Sequence, residues 1–162
     1  MANQAPDNPG VIVLPPILLL ATIAFGVVLD WFVPLGILAK LPMVPRLAVG
    51  AILFVVGASM LIATRRAFDE AGTNIRPDMP TTALVTSGLF THARNPAYQG
   101  GSLALLGLAL MLGSDWIVLL MVPALLLLHY GVVLREERYL EQKFGEAYRC
   151  YKEAVPRYGW KF

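Results

Sequence analysis

Long apolar runs separated by short polar stretches make up most of the chain. Four of these runs have the length and composition of membrane-spanning helices: residues 11–28, 47–64, 97–112 and 116–134. The last two are separated only by Gly113, Ser114 and Asp115, which predicts an antiparallel helical hairpin. Gly100 and Ala104, four residues apart, would let a neighbouring helix approach the third span closely.

The connections between the spans are of two kinds. Residues 34–45 are apolar, too short to cross a bilayer and bracketed by prolines, so we predict an interfacial or re-entrant segment. Residues 67–96 are mostly polar, but they also contain several apolar residues, among them Leu84, Val85, Leu89 and Phe90. These four favour an ordered loop that packs against the protein. Within the fourth span, Pro123 predicts a kink.

The polar loop ends in the sequence SGLFTHARNPAYQG, residues 87–100, which opens directly onto the third span. Asn95 and Pro96 occupy the positions of an N-cap and of a first helical residue. A helix start of this kind leaves backbone N–H groups free and suits an anionic group. Taken alone, Tyr98 is typical of an interfacial aromatic residue and His92 of a surface loop histidine.

Beyond Leu134 the chain becomes polar yet keeps a helical period. Its apolar positions fall on one helix face: Leu140, Phe144, Ala147, Tyr148, Tyr151 and Val155. At 100° per residue, Glu136 and Glu137 lie within roughly 60° of the centre of that face, so both carboxylates should point toward the protein. Gly145 weakens this helix by about 1 kcal/mol relative to Ala, which allows a break there.

Composition supports a membrane protein, because 57% of the residues are hydrophobic and 15% are charged. The single cysteine excludes an intramolecular disulfide, and two histidines argue against a structural zinc site. We therefore expect an all-α polytopic protein with about four transmembrane helices, a short interfacial helix and an amphipathic C-terminal helix. One domain, residues 1–162, would combine N-terminal spans (1–66) with the loop, hairpin and C-terminal helix (67–162).

The positive charges predict an orientation. Eleven of the 13 Lys and Arg residues, Lys161 among them, fall on the side that carries both termini and the polar loop. Only Lys40 and Arg46 fall on the other side. By the positive-inside rule, both termini and the loop are expected in the cytoplasm, and we expect a bacterial inner-membrane location. The first ten residues lack the basic region of a signal peptide, so the first span should be retained.

Inward-pointing carboxylates at a membrane boundary are costly unless a cation or hydrogen-bond donors meet them. Arg94 is a candidate partner for Glu136 and Glu137. Two interpretations remain open: a structural salt bridge that closes the loop onto the tail, or carboxylates that hold a cationic ligand. The sequence contains none of the common nucleotide-binding, zinc-protease or serine-hydrolase motifs.

An ordered set of motifs resembles the isoprenylcysteine carboxyl methyltransferase family, whose wider group includes phospholipid N-methyltransferases. The motifs are AGT at 71–73, LVTSGLF at 84–90, RNPAYQG at 94–100, EERYL at 136–140, FGEAYRCY at 144–151 and VPR at 155–157. The resemblance covers roughly residues 68–160. It implies an integral membrane methyltransferase that uses S-adenosyl-L-methionine in a cytoplasmic pocket and releases S-adenosyl-L-homocysteine.

The resemblance also implies roles for particular residues. Arg94 and Glu137 would be catalytic. The cofactor would be bound by Leu89, His92, Asn95, Pro96, Tyr98, Gly100, Glu136 and Tyr148. The acceptor would be a lipophilic molecule from the bilayer, by resemblance a prenylcysteine-type carboxylate, and membrane lipids would be the other partners. No metal and no nucleic acid is expected, and the oligomeric state is left open.

Three alternatives remain. Phospholipid amine N-methylation is favoured by Asn95, which stands where many members have His, and by Val132 and Val133, where eukaryotic members carry an Arg. Without that Arg a carboxylate acceptor lacks a partner, and an amine would need a general base such as Glu137. A membrane reductase of the sterol-reductase type predicts NADPH binding instead, and a non-enzymatic membrane subunit predicts neither ligand.

Overall fold

The computed structural model describes residues 7–159; residues 1–6 and 160–162, including Lys161, lie outside the described part. Within the described part there are six α-helices: α1 Pro15–Phe32, α2 Met43–Glu70, α3 Pro96–Leu112, α4 Asp115–Leu128, α5 Leu134–Phe144 and α6 Glu146–Ala154. Short 3₁₀ turns occupy Leu38–Lys40 and Gly88–Thr91, and a π-helical segment, His129–Val133, joins α4 to α5. No β-strand occurs between residues 7 and 159, so the predicted all-α class is confirmed.

Between residues 7 and 159, three helices are long and apolar enough to cross a membrane: α1, α2 and the continuous helical rod from Asp115 to Phe144. The fourth predicted span, α3, is an apolar helix of 17 residues. Its length of about 25 Å is at the lower limit for a bilayer core. The polytopic helical membrane fold is therefore confirmed.

The second helix extends beyond its predicted span at both ends. It has 28 residues, and Pro45 lies in its first turn, where the missing N–H of proline costs no intrahelical hydrogen bond. Beyond Thr64 the helix continues because Arg65 donates to Asp69 one turn later, at 2.9 Å. The polar loop is shorter than predicted for the same reason, since Ala67–Glu70 belongs to α2.

The close helix contact predicted at Gly100 and Ala104 is confirmed, and the partner is α2. A methyl group on Gly107 would lie 2.5 Å from the carbonyl oxygen of Gly50, and one on Gly100 would lie 2.8 Å from the carbonyl oxygen of Gly57. Both pairs show that α2 and α3 run antiparallel with their backbones in contact. This interface depends on the absence of side chains at four positions.

The predicted hairpin of α3 and α4 is also confirmed. Gly113 ends α3 in the left-handed conformation, with φ of 69°, and the Ser114 hydroxyl accepts a hydrogen bond from the Ile117 N–H at 3.1 Å. The Asp115 carboxylate accepts from the N–H groups of Ile37 and Leu38, at 2.8 and 2.9 Å. These bonds attach the connection between α1 and α2 to the turn of the hairpin, while α1 itself packs along α4.

The C-terminal helix breaks at the predicted position, because Gly145 has φ of 55° and separates α5 from α6. Tyr148 and Val155 of the predicted apolar face are buried, but Ala147 is exposed, so the prediction is wrong there. The break changes the helical register and turns Ala147 outward. Pro123 lies inside α4, and the hydrogen-bond pattern departs from α-helical only later, in the π-helical segment.

The polar loop is ordered and packed, as predicted. Val85 and Phe90 are buried, and the Phe90 ring meets the Phe68 ring of α2 edge to face, with 5.6 Å between centroids. The Thr73 hydroxyl accepts hydrogen bonds from the N–H groups of Thr82 and Ala83, at 2.8 and 3.2 Å. These contacts hold the loop over the ends of α2 and α3.

We expect Gly107→Ala to destabilise the protein by about 1–3 kcal/mol, because the new methyl group meets the backbone of α2 and overpacks the interface. Gly101→Ala on the same helix is the matched control, since its methyl group meets only the flexible end of Leu19, at 3.2 Å. Thermal unfolding of both variants in detergent measures the difference. Equal melting temperatures would contradict this account of the α2–α3 contact.

Candidate functional site

A cavity of about 630 Å³ lies among α1, α3, α4 and α5 and is covered by the polar loop. Its polar end is lined by Arg94, Asn95, Tyr98, Glu136, Glu137 and Tyr148. Its apolar end is lined by Leu14, Leu19, Leu105, Met121, Leu125 and Leu128. One continuous space therefore joins polar groups at the helix ends to the apolar interior of the membrane helices.

The first turn of α3 forms part of the polar end. Asn95 holds the N-cap position as predicted, but its side chain does not cap the helix and instead donates to the Arg157 carbonyl oxygen, at 3.4 Å. Because Pro96 has no N–H and the cap is not made by the side chain, the N–H groups of Ala97 and Tyr98 remain available. Both residues line the cavity, so the positive end of the helix dipole faces it.

Glu137 lies between two guanidinium groups. The Arg94 Nη2 and Nε atoms donate to its Oε1 at 2.9 and 3.2 Å. Arg157 donates from Nε to Oε1 at 2.9 Å and from Nη2 to Oε2 at 2.8 Å, and this bonding to Glu137 raises the pKa of Arg157. The side chains of Arg94 and Glu137 are only 8% and 7% exposed, so the pair is buried. The salt bridge considered from the sequence is therefore present, and it involves a second arginine.

Residues 155–158, which we call the tail strap, run along the start of α3. The Arg94 N–H donates to the Pro156 carbonyl oxygen at 3.0 Å, and the Gln99 side chain donates to the Tyr158 carbonyl oxygen at 2.9 Å. Arg94 Nη1 donates to the carbonyl oxygens of Lys152 and Val155, at 2.9 and 2.6 Å. The strap fixes the position of the helix start from outside the cavity.

Glu136 has a different environment from its neighbour. The Tyr98 hydroxyl donates to Glu136 Oε1 at 2.7 Å, and this is the one hydrogen bond that the structure gives the Glu136 carboxylate within residues 7–159. The second carboxylate oxygen, Oε2, has no hydrogen-bond partner among residues 7–159, and Glu136 lines the cavity. Of the two adjacent carboxylates, Glu137 is saturated by arginines, whereas Glu136 can accept a further cation or donor.

Two tyrosines of α6 close the polar end. Tyr148 is 1% exposed and lines the cavity, and burial raises its pKa. Burial also raises the pKa of Tyr151 to about 12, and its hydroxyl donates to the Phe90 carbonyl oxygen at 2.8 Å. Both side chains therefore stay neutral at physiological pH, and their rings form part of the cavity wall.

The structure places three predicted cofactor residues away from the cavity wall. Gly100 faces α2 against Gly57, because that contact needs a residue without a side chain. His92 is exposed and its Nδ1 lies 2.8 Å from the Thr91 hydroxyl, and Leu89 is half-buried in the 3₁₀ turn. The other predicted residues converge on the polar end, although the roles of all ten remain predictions.

Sequence reasoning missed two residues of this region, Arg157 and Tyr158. The Tyr158 hydroxyl lies 2.7 Å from Nδ1 of His129, which connects the tail strap to the π-helical segment. The VPR motif contained Arg157, but its partner, 20 positions earlier in the chain, could not be read from a helical period. A buried carboxylate requires positively charged partners, so considering each nearby Lys and Arg as a partner of Glu137 could have identified Arg157.

The family model described as phospholipid methyltransferase matches residues 45–147, from the first turn of α2 to the start of α6. A curated relative, the protein-S-isoprenylcysteine O-methyltransferase of Schizosaccharomyces pombe, is 34% identical over 73 residues. That similarity covers 45% of this chain and 31% of the relative, so it spans about a third of the relative's length. No solved structure matches the chain.

We expect Glu137→Gln to destabilise the protein by about 3 kcal/mol, because it leaves two guanidinium groups without their carboxylate. Glu141→Gln, one turn later on α5, is the matched control, since its partner Lys152 is 41% exposed and the pair is worth less than about 1 kcal/mol. Thermal unfolding in detergent compares the variants. An equal loss of stability in both would show that burial of the Glu137 cluster has no special importance.

Proposed function

Because the chain belongs to the phospholipid methyltransferase family, we propose that this membrane methyltransferase transfers a methyl group from S-adenosyl-L-methionine to a lipophilic acceptor, with S-adenosyl-L-homocysteine as the product. One observation carries the proposal. A single cavity joins a polar end, where Glu136 and Tyr98 meet the start of α3, to an apolar end between membrane helices. Such a cavity can hold a polar cofactor and an apolar acceptor side by side.

The residues of the polar end fit the cofactor. Its ammonium and sulfonium groups require an anion, and Glu136 offers a carboxylate oxygen to the cavity. Its carboxylate requires donors, and Ala97 and Tyr98, whose N–H groups have no partner within the helix, line the cavity at a helix N-terminus. The buried side chains of Val85 and Phe90 can cover an adenine ring. When bound, the cofactor would supply an electrophilic methyl group.

The chain itself would act by positioning and by excluding water. Arg94 and Glu137, predicted as catalytic, lie in the ion cluster that joins the loop, α5 and the tail strap, and in this proposal they keep the polar end in shape. Asn95, Pro96 and Tyr148 would form its walls. The loop covers this end, which would keep bulk water away from the methyl group during transfer.

The acceptor is either a prenylcysteine-type carboxylate or a lipid amine, and one observation favours the amine. Each guanidinium nitrogen of Arg94 already donates to Glu137 or to a backbone carbonyl of the tail, and the exposed Arg76 is paired with Asp78 at 2.6 Å. A carboxylate acceptor would meet Glu136 without a free arginine, whereas an ammonium group would be attracted to it. Glu136 would then accept the proton of the amine, in place of the predicted Glu137.

We further propose that the polar end faces the cytoplasm, in a bacterium on the inner face of the inner membrane. Support comes from the distribution of Lys and Arg along the chain. Within the described residues, Arg94, Arg135 and Arg157 gather at this end of the helices, whereas Arg46 lies at the hairpin turn beside Gly113.

Purified protein in detergent should bind S-adenosyl-L-homocysteine with micromolar affinity by calorimetry. Glu136→Gln should weaken this binding about tenfold, equivalent to ~1.4 kcal/mol, because the ammonium group loses its carboxylate. Glu153→Gln, on the exposed face of α6, is the control and should bind normally. A wild-type protein that binds NADPH and not S-adenosyl-L-homocysteine would overturn the proposal in favour of a reductase.

Incubation of membranes with methyl-labelled S-adenosyl-L-methionine, followed by lipid extraction, should give a labelled lipid. Label that survives mild alkali and elutes with lipid amines is the outcome we expect from the free Glu136 carboxylate. Label released by alkali as methanol would identify an ester and would favour the carboxylate acceptor. Membranes without the expressed protein provide the background.

A further inference from the structure

The apolar end of the cavity is closed by two side chains. Leu105 of α3 and Met121 of α4 line the cavity and are themselves 5% and 8% exposed. One turn deeper, Ala109 and Ile117 are fully buried and do not line it. The four residues form one packed cluster, so the cavity ends at Leu105 and Met121, which we call its floor.

The depth of this end follows from helix geometry. Tyr98 marks the polar end on α3, and Leu105 lies seven residues later on the same helix. At 1.5 Å per residue the separation is about 10 Å along the axis. An apolar chain whose head group sits beside Tyr98 and Glu136 can therefore extend only a limited distance before it meets the floor.

A glycine of α3 also lines the cavity. Gly101 lines the cavity, and a methyl group there would lie 3.2 Å from Leu19 Cδ1 of α1. Its neighbour Gly100 faces the opposite way, toward α2, so the two adjacent glycines have different tasks. The Leu19 side chain therefore occupies the space beside Gly101, and α1 approaches α3 closely there.

Lipid is the source from which a chain could enter. Leu61 of α2 and Leu125 of α4 line the cavity and are also 37% and 42% exposed on the apolar surface of the helices. Exposed apolar side chains of membrane-spanning helices face the hydrocarbon of the bilayer, so an acyl chain can reach the cavity at these two residues. Because the cavity continues to Glu136, its occupant is a molecule with an apolar chain and a reactive head group.

We propose that Leu105 and Met121 set the maximal length of the part of the acceptor chain that the cavity encloses. The inference rests on the proposed function, because the chain belongs to the methyl acceptor. Each further carbon of the acceptor gains contacts until the chain reaches the floor. The next carbon must displace a packed side chain or leave the cavity at the rim near Leu61 and Leu125, where it gains no further contact with the cavity wall.

The test uses the full chain in lipid nanodiscs saturated with S-adenosyl-L-homocysteine. Straight-chain alkylamines and alkanoic acids of increasing length are the probes, and their affinities are measured by thermal shift and competition. Affinity should rise with length and then stop rising. Leu105→Ala should move that limit to longer chains by about three carbons, the number removed from the side chain.

Two further variants show whether a change in the length limit comes from the floor of the cavity or from a general loss of stability. Met121→Phe fills the floor and should move the limit to shorter chains, opposite to Leu105→Ala. Leu106→Ala is the matched control, because Leu106 packs against the same cluster and does not line the cavity.

The outcomes separate the two proposals. If S-adenosyl-L-homocysteine does not bind to the wild-type protein, the proposed function itself fails. If it binds normally and Leu105→Ala, Met121→Phe and Leu106→Ala share the wild-type length profile, the function stands and the role of Leu105 and Met121 as the floor is overturned. A shift in Leu106→Ala equal to that of Leu105→Ala would overturn it as well.

Discussion

The carboxylate of Glu137, held between Arg94 and Arg157, is the interaction on which the polar half of the structure depends. Arg94, Glu137 and Arg157 belong to the loop, α5 and the tail strap, respectively, and these segments are distant in the sequence. A buried charge of this kind is tolerated only when donors surround it, so each of the three segments must be in place for the others to be stable. The cluster therefore makes the order of the loop depend on the order of the tail.

The same cluster explains why two adjacent acidic residues can differ in chemistry. Glu137 is saturated by guanidinium groups and belongs to the scaffold. Glu136 has one hydrogen bond, from Tyr98, and faces the cavity. One turn of helix thus provides one carboxylate that is bonded to two arginines and one that faces the cavity without an arginine partner among residues 7–159.

Much of the fold could be predicted from the sequence, because apolar runs and helical periods are local signals. The spans, the hairpin, the close approach at Gly100 and the break at Gly145 were of this kind. The inward direction of Glu136 and Glu137 followed from the helical period as well. A helical period carries no information about ion pairs between distant segments, so the pairing of Arg157 with Glu137 was missed. The His92 side chain is exposed because of the 3₁₀ turn that precedes it, and a turn this short has no hydrophobic period from which its direction could be predicted.

The π-helical segment between α4 and α5 has a consequence for how such a protein can change. A π-helical turn holds more residues than an α-helical one, so the side chains after it are rotated relative to those before it. Met121 and Leu128 before the segment and Glu136 and Glu137 after it all line one cavity. A substitution that restored regular α-helical geometry here would rotate the carboxylates away from the apolar wall of that cavity.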